Sequence, residues 1–223
     1  MTEDVVDELT VIEFFGSIQS PYCYFALDRL EAMARELKLR ILMRPVLPGV
    51  IRIAKTYAER SNMEQTYFTH DVTRTAAFLE LPYGDAQPSP VNWQTTSLWV
   101  AAPQQARVMR LYNLLYAAHL AGGDYEYQLY ANLMRAIWSG ATPGWDANDH
   151  LARYAEAAGL SAELIQQPDT LGGDATAYFA ENQQVMFDYG HWGVPMFAWR
   201  REPFYGQDRL DQLHWRIETT RNS

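Results

Sequence analysis

The stretch Val11–Leu37, VIEFFGSIQSPYCYFALDRLEAMAREL, predicts a buried strand, a short turn and a helix. Four of its first five residues are β-branched or aromatic, which is typical of a strand covered on both faces. Gly16 and Ser17 then interrupt the apolar run. Pro21 suits the first turn of a helix, because its ring fixes a helical φ and its missing N–H leaves no hydrogen bond unmade. We therefore expect a helix that begins just after Ser20.

Ser20 and Cys23 lie at the predicted start of that helix. A helix N-terminus carries unpaired N–H groups and a partial positive charge, so it stabilises an anion placed there. Ser20 is expected at the N-cap position, with Cys23 one turn further on and near the same anion site. A purely structural interpretation stays open at this point: Ser20 only caps the helix, and Cys23 is a small buried hydrophobe.

The composition limits the classes of protein to which the chain can belong. Of its 223 residues, 48% are hydrophobic and 20% charged, which indicates a globular protein with a sizeable core. The net charge of −9 and the absence of a Lys/Arg patch argue against a nucleic-acid partner. A single cysteine excludes an internal disulfide and a CxxC motif. The polar Met1–Thr10 and the lack of a long apolar run lead us to expect a cytoplasmic protein without a membrane segment.

The chain then continues as a strand and a long helical region. Leu39–Val46 is a second strand candidate, so the first three elements form a parallel βαβ unit. Leu81–Asn92 is a loop with three prolines. The helices predicted between residues 50 and 173 are Ile51–Ala58, Met63–Leu79, Ala102–Ala121, Tyr125–Trp138, a helix capped by Asp146 that runs to Ala158, and Ser161–Gln167.

The last quarter returns to mixed helix and strand. Asp174–Asp188 is a predicted helix, Met196–Arg200 and Pro203–Tyr205 form a hairpin, and Asp208–Thr219 closes the chain as a helix. This order predicts an α/β thioredoxin-like fold with an inserted all-helical domain. We expect the thioredoxin-like domain to comprise residues 1–49 and 174–223, and the insert to comprise residues 50–173.

Three short motifs resemble one known family. SPYC at 20–23, WGVPMF at 192–197 and GQDRLD at 206–211 resemble the 2-hydroxychromene-2-carboxylate isomerases and kappa-class glutathione transferases, of the DsbA-like branch of the thioredoxin fold. The intervening segments RPVLPG, YFTHDVTR, MRAIWSG and EAAGL are similar to those of that family. Each motif is weak alone, and their order along the chain makes the combination fairly specific.

The resemblance implies glutathione as cofactor and assigns roles around the SPYC turn. Ser20 is implied as the catalytic residue whose hydroxyl donates a hydrogen bond to the glutathione sulfur and favours its thiolate. Pro21, Tyr22 and Cys23 are implied at the cofactor site beside it. Cys23 stands where the redox members of the branch carry their second cysteine, and Ser20 where they carry the nucleophilic one.

The resemblance also implies roles for residues near the C-terminus. Val194 and Pro195 match a peptide bond to a cis-proline, whose backbone pairs with the cysteinyl part of glutathione. Gln207 and Asp208 match residues that hold the γ-glutamyl end. Two plainer alternatives stay open: Pro195 is a trans, strand-initiating proline, and Asp208 only N-caps the last helix.

One segment departs from the family pattern. Tyr57 stands near the position where the family commonly carries an asparagine that binds glutathione, and Arg52 or Lys55 are candidates to face the glycyl carboxylate. The five histidines show no metal-ligand spacing, so we expect no metal site, and His191 is the one histidine considered as a substrate contact. Several aromatic residues of the insert are expected in the core, with a few lining a cleft: Tyr67, Trp93, Trp99, Trp138 and Trp145.

The function expected from the resemblance is that of a glutathione-dependent isomerase or transferase, acting on a small aromatic or electrophilic substrate and assembled as a homodimer. One alternative is a DsbA-like thiol–disulfide oxidoreductase, which Ser20 opposes because a hydroxyl cannot exchange disulfides. The other is a non-catalytic binding module on the same fold, which the unusual segment around Tyr57 favours.

Overall fold

The sheet is built around the apolar run at the beginning of the described chain. The computed structural model describes residues 10–94, 99–147, 149–161, 168 and 170–221. β1 (Val11–Gly16) pairs in parallel with β2 (Arg40–Pro45) and antiparallel with β3 (Met196–Trp199), which pairs antiparallel with β4 (Glu202–Tyr205). The strand order is therefore β2-β1-β3-β4, and β1 is central and almost completely buried, as its composition predicts.

Helices cover this sheet and fill the chain between β2 and β3. In chain order they are α1 (Pro21–Glu36), α2 (Gly49–Arg52), α3 (Ala54–Ala58), α4 (Asn62–Phe78), α5 (Ala106–Ala121), α6 (Tyr125–Trp138), α7 (His150–Ala157), α8 (Gly173–Asp188) and, after β4 and a 3-10 turn at Gln207–Arg209, α9 (Leu210–Arg221). The only strand-like pairing in the described part of residues 50–172 is an isolated bridge between Trp93 and Ala101.

One hydrophobic core joins the sheet to the helical region. The same buried cluster contains residues of β1, α1, α5, α6, α7 and α9. In its interior the Trp138 indole N–H donates to the carbonyl of Ile18, at 2.9 Å, in the turn that follows β1. The proposed domain boundary at residues 49/50 and 173/174 stays a prediction, and the core packing crosses it.

The sheet register decides which ends of the strands meet. Phe15 lies opposite Met196 in the antiparallel pair of β1 and β3. The end of β1, from which the chain turns into α1, therefore lies beside the start of β3. The Val194–Pro195 peptide bond, which immediately precedes β3, is at this same edge of the sheet.

Some predicted helix boundaries are wrong. The helix expected from Ala102 begins at Ala106, because Ala102 precedes a proline, which disfavours helical backbone at that residue. Asp146 does not cap a helix: its carboxylate accepts from Arg107 Nε at 2.7 Å, and α7 begins only at His150. The segment predicted as one helix over 51–58 is split into α2 and α3 by Ile53, whose φ is −132°.

The other helix predictions are largely confirmed. α4, α6 and α8 agree with the expected ranges to within a residue or two. The closing helix starts with the 3-10 turn and extends to Arg221. The helix predicted at Ser161–Gln167 lies outside the described residues except for Ser161. No helix in the described part of the chain has both the length and the apolar character needed to cross a bilayer.

Candidate functional site

Ser20 occupies the N-cap position of α1 without capping it. Its backbone is extended, with φ −102° and ψ 110°, and its side chain accepts no capping hydrogen bond. The turn is instead held by backbone bonds: the Ser20 amide donates to the Ser17 carbonyl at 3.1 Å, and the Cys23 amide donates to the Ser20 carbonyl at 3.0 Å. The interpretation of Ser20 as only a cap is therefore wrong, because its hydroxyl at the helix N-terminus has no capping role.

Cys23 is fully buried behind Ser20. Burial raises the pKa of its thiol to about 11, although hydrogen bonds from the Ser17 backbone and the Ser20 side chain act in the opposite direction. The thiol is thus neutral at neutral pH, and a buried neutral thiol is a poor nucleophile. Its structural interpretation as a small buried hydrophobe fits this environment.

The Val194–Pro195 bond is cis, as the resemblance implies, so the trans alternative is wrong. Pro195 is buried, and its carbonyl accepts from the Gly206 amide at 2.9 Å, which connects the start of β3 to the residue after β4. Val194 is partly buried and packs against hydrophobic residues on both faces of the sheet. The structure therefore brings Ser20 and the cis-proline to one edge of the sheet, and their roles toward glutathione stay predictions.

Tyr22 is held by contacts with α4. Its hydroxyl donates to the Asp71 carboxylate on α4 at 2.5 Å, and burial together with that carboxylate raises the pKa of the phenol. Its ring makes edge-to-face contacts with Phe25 and Phe68. In the described structure Tyr22 connects α1 to α4, whereas Pro21 is buried at the first position of α1.

Gln207 and Asp208 follow Gly206, whose amide bonds the carbonyl of the cis-proline. Arg29 Nη1 donates to both the backbone and side-chain oxygens of Gln207, each at 3.1 Å, and Arg29 lies nine residues beyond Ser20, roughly 13 Å along the helix axis. Asp208 is exposed and pairs with Arg209 at 3.0 Å. It lies inside the 3-10 turn, so the alternative in which it only N-caps the last helix is wrong. Their predicted contacts to the γ-glutamyl end are untested.

Arg52 is the residue near Ser20 whose orientation the sequence left open. Its Nε donates to the Leu47 carbonyl at 2.9 Å, and its Nη2 donates to the Trp192 carbonyl at 2.6 Å. Its buried Nη1 has no hydrogen-bond partner among the described residues, and no described carboxylate pairs with the guanidinium. Burial lowers the pKa of Arg52, yet arginine stays charged at neutral pH. The other candidate, Lys55, is exposed.

An aromatic cluster, formed by Tyr57, Phe68, Trp99 and Trp192, lies on the other side of Arg52. Ring centroids are 5.8 Å apart for Tyr57 and Trp99, 6.4 Å for Tyr57 and Trp192, and 5.5 Å for Phe68 and Trp99. The Arg60 guanidinium lies over three of these rings. It is 4.4 Å from the centroid of Tyr57, 4.9 Å from that of Trp99 and 5.9 Å from that of Trp192. A guanidinium thus already stacks on these rings, of which Trp99 is buried and Trp192 is partly exposed.

Tyr57 and His191 both have close packing partners within the protein. The Tyr57 ring packs so closely on Gly49 that a Cβ there would lie 2.3 Å from it. The His191 ring stacks on Tyr205 at 3.9 Å, and its Nδ1 accepts from the Gly193 amide at 2.8 Å. Burial lowers the pKa of His191, so the imidazole is neutral at neutral pH. Its predicted contact with substrate is untested.

The predicted aromatic core is mostly confirmed. Trp138 and Trp145 are buried, and Trp99 is buried within the aromatic cluster. Tyr67 is 63% exposed, so its prediction as a core residue is wrong, because it lies on the outer face of α4. Among the residues that the structure describes, no group of three or more His, Cys, Asp or Glu side chains is arranged to hold a metal ion.

The comparisons with known structures agree on the fold. The chain is similar to a selenomethionine 2-hydroxychromene-2-carboxylate isomerase, with 20% identity, a TM-score of 0.64, and coverage of 94% of this chain and 95% of the other. It is also similar to the cytosolic disulfide reductase DsbM of Pseudomonas aeruginosa with GSH, with 18% identity, a TM-score of 0.58, and coverage of 96% and 100%. A probable DsbA oxidoreductase of Streptomyces coelicolor is 17% identical, with a TM-score of 0.58 and coverage of 94% of this chain and 90% of the other.

These identities are low enough that the structural likeness establishes the fold alone. No curated protein sequence matches the chain. The family model of the DSBA-like thioredoxin domain matches residues 11–218, which is nearly the whole chain. The α/β thioredoxin-like fold with its helical insertion is therefore confirmed, and the chain belongs to the DsbA-like thioredoxin domain family.

Proposed function

We propose that the chain is a glutathione-dependent isomerase or transferase that acts on a small aromatic or electrophilic substrate. Glutathione supplies the thiol, which as a thiolate is the nucleophile of such a reaction. The protein's part is to bind that sulfur at the N-terminus of α1, to favour its anionic form and to orient the substrate beside it.

The observation that carries this proposal is the Ser20 hydroxyl, which makes no capping bond at the start of a four-turn helix. A hydroxyl in that position is able to donate to an anionic sulfur, while the helix N-terminus adds positive potential. The orphaned Nη1 of Arg52 also suits an anion. The residues near Ser20 therefore fit a thiolate. The Gln207 side-chain oxygen already accepts a hydrogen bond from Arg29, so it is less available to bind the γ-glutamyl end of glutathione.

The aromatic cluster supports a flat or electrophilic substrate. Trp192 is 37% exposed and follows His191 on the segment that leads to the cis-proline. Its carbonyl accepts from Arg52, which also donates to the Leu47 carbonyl, so the cluster is tied to the loop that follows β2. An aromatic ring stacked on this cluster would gain contact area without needing a charged partner.

One structural neighbour supports isomerase activity, and another supports glutathione as a ligand. The isomerase named above acts, by its name, on 2-hydroxychromene-2-carboxylate, and the DsbM structure was determined with GSH. Both span nearly the full length of this chain. We also propose, from the resemblance, that the enzyme is a cytoplasmic homodimer, which sedimentation equilibrium and cell fractionation would test.

Thiol–disulfide exchange is the second candidate, since several neighbours are named as disulfide enzymes. The environment of Cys23 opposes it, because the thiol is buried and has a raised pKa, and Ser20 provides no thiol at the helix start. We expect native Cys23 to resist iodoacetamide at pH 8 and to react once the chain is unfolded. Rapid labelling of the native protein, together with reduction of insulin, would favour disulfide exchange instead.

Calorimetric titration with glutathione is the primary test of the proposal. We expect saturable binding, accompanied by the ultraviolet difference absorbance of a thiolate at neutral pH. S-Methylglutathione, which has no ionisable thiol, is the matched ligand control and should give no such absorbance. Absence of both binding and thiolate absorbance would contradict the proposed function and favour a non-catalytic binding module.

A further inference from the structure

We propose that Arg52 is the fixed counter-charge of an anion-binding position in front of Ser20, and that the anion it serves is the thiolate of a small molecule. The identity of the anion rests on the proposed function. The assignment of Arg52 rests on its own contacts, its burial and the absence of a described acidic partner.

The guanidinium of Arg52 is held in place from two sides. One carbonyl acceptor, Leu47, follows β2, and the other, Trp192, precedes the cis-proline. These two bonds use Nε and Nη2 and leave the buried Nη1 without a partner among the described residues. The charge is therefore fixed between the two loops that flank the start of α1, with one donor group unused.

Arg52 differs from the other partly buried arginines of the chain. Arg44 pairs with Glu13, Arg107 with Asp146 at 2.7 Å, and Arg135 with Glu31 at 2.9 Å. Withdrawing a charged group from water is costly unless an opposite charge compensates it. Arg60 and Arg110 are also partly buried without a described carboxylate partner, but among the described arginines only Arg52 has a buried guanidinium nitrogen without a hydrogen-bond partner, which is the arrangement expected when a ligand supplies the anion.

The charge of Arg52 acts at the Ser20 end of α1. The sulfur of Cys23 receives a hydrogen bond from the Ser20 side chain and also lies within the electrostatic reach of Arg52. Arg52 also bonds the Trp192 carbonyl, three residues before the cis-proline, so the guanidinium and the Ser20 hydroxyl lie at the same edge of the sheet. A sulfur anion bound at this edge would gain from both the positive end of α1 and the guanidinium charge.

Among the residues that the structure describes, no carboxylate forms an ion pair with Arg52. The titratable groups that interact with it are Cys23 on α1, Tyr57 on α3, Tyr112 on α5 and His191 before β3. They comprise a thiol, two phenols and an imidazole. Tyr205 on β4 and Arg60 after α3 lie further out, where they interact with each other and with Tyr57.

The other role that fits these contacts is purely structural: Arg52 would only tie the Leu47 loop to the Trp192 loop. The two roles differ in whether the positive charge of residue 52 is needed. A structural tie depends on the geometry of the guanidinium, whereas a counter-charge should be partly replaced by the ammonium group of lysine.

An engineered thiol at residue 20 measures the anion stabilisation without any cofactor. The parent protein carries Ser20→Cys and Cys23→Ala, so residue 20 holds the only thiol. Its pKa is obtained from the rate of alkylation by iodoacetamide as a function of pH. We expect a value clearly below 8.5, and a rise of about one pH unit or more when Arg52→Gln is added.

Three further variants make the result decisive. Arg52→Lys should keep a substantial part of the low pKa, and Lys55→Gln, which removes an exposed charge on α3, should leave it unchanged. Arg52→Met is a second neutral variant in case the glutamine protein does not fold, as judged by circular dichroism. An unchanged thiol pKa in a folded neutral variant, or a lysine variant that behaves like the neutral ones, would overturn the inference.

This experiment is independent of the proposed cofactor. If glutathione does not bind to the native protein but the thiol pKa still depends on the charge at residue 52, the proposed function fails and the role of Arg52 stands. If glutathione binds and the thiol pKa does not depend on that charge, the proposed function stands and the role of Arg52 fails.

Discussion

The starts of α1 and α4 both have a serine at the N-cap position, and they differ in how that serine is used. At α4 the Ser61 hydroxyl accepts from the Glu64 amide at 3.3 Å, and the Glu64 carboxylate accepts from the Ser61 amide at 2.8 Å, which is a complete capping box. At α1 the Ser20 side chain makes no capping bond, and the first turn contains no acidic residue.

The difference shows how the same residue type serves two purposes. The α4 terminus is satisfied by its own side chains, so it has little to offer a ligand. The α1 terminus has no side-chain cap, because the Ser20 hydroxyl bonds the Cys23 sulfur instead, and it lies at a sheet edge beside a cis-proline and an arginine without a described carboxylate partner. Helix starts that lack an internal cap are therefore the ones to examine for ligand binding in this fold, provided that other unpaired groups surround them.

The largest expected effect comes from Ser20→Ala. Loss of one hydrogen bond to a charged group should raise the pKa of glutathione bound to the protein by about one to two pH units. The free energy of unfolding should change by less than about 0.5 kcal/mol, because no capping bond is lost. Ultraviolet titration of bound glutathione and urea unfolding measure the two quantities. A large loss of stability with no change in the pKa of bound glutathione would show that Ser20 serves the fold and not the thiolate.

Ser61→Ala should give the opposite pattern. Removing the cap should lower the free energy of unfolding by about 1 kcal/mol, since the Glu64 amide loses its acceptor. Glutathione binding should stay at the wild-type level. Urea unfolding tests the first expectation and calorimetry the second, with Ser61→Asp as the variant that restores an acceptor and the stability.

Ser20→Asp tests the comparison of the two helix N-termini, because the new carboxylate places an anion of the protein itself at the start of α1. We expect it to stabilise the protein by up to about 1 kcal/mol, because the carboxylate meets the positive end of α1 and the Arg52 charge. The same change should abolish glutathione binding. Thermal unfolding of this variant beside Ser61→Asp is the measurement, and a lower stability for the residue-20 variant would show that the α1 terminus does not favour an anion.

The smallest effect is an acid dependence at α4. The backbone hydrogen bond from Ser61 is the main cause that lowers the pKa of Glu64 below its ordinary value of 4.5. The Glu64 carboxylate therefore stabilises the folded protein above pH 4.5. This stabilisation is lost as the pH falls through the lower pKa that Glu64 has in the folded state. Urea midpoints of the wild type and Glu64→Gln should differ at pH 7 and converge near pH 3.

Local sequence patterns predicted the elements that build the site. The apolar β1 run, Pro21 at the start of α1 and the short link to β2 each carry strong short-range signals, and the structure follows them. The cis bond before Pro195 came from the family resemblance and is also present. The start of α5 was misplaced because an amphipathic pattern continues past Pro103, while the Gln105 side chain instead bonds the Asn92 backbone.

The side-chain directions within the site could not be predicted, because their partners are distant in sequence. Arg52 is oriented by a carbonyl 140 residues away, Tyr22 by Asp71 on α4, and Gln207 by Arg29, 178 residues earlier. Nothing in the local pattern around any of these residues encodes such contacts. A motif therefore located the serine and the proline, while the fold decided which neighbouring groups remained unpaired.

Side chains of the helical region contact the turn that leads from β1 to Ser20. The Trp138 indole holds the Ile18 carbonyl, and the Tyr112 hydroxyl lies 3.3 Å from the Ser17 hydroxyl and also donates to the Val46 carbonyl. Both aromatic residues come from helices that a domain diagram would assign to the insertion. A minimal protein made by excising that region would lose the groups that set the shape of the turn, so we expect that the Ser20 site cannot be kept in a protein shortened to its sheet and flanking helices.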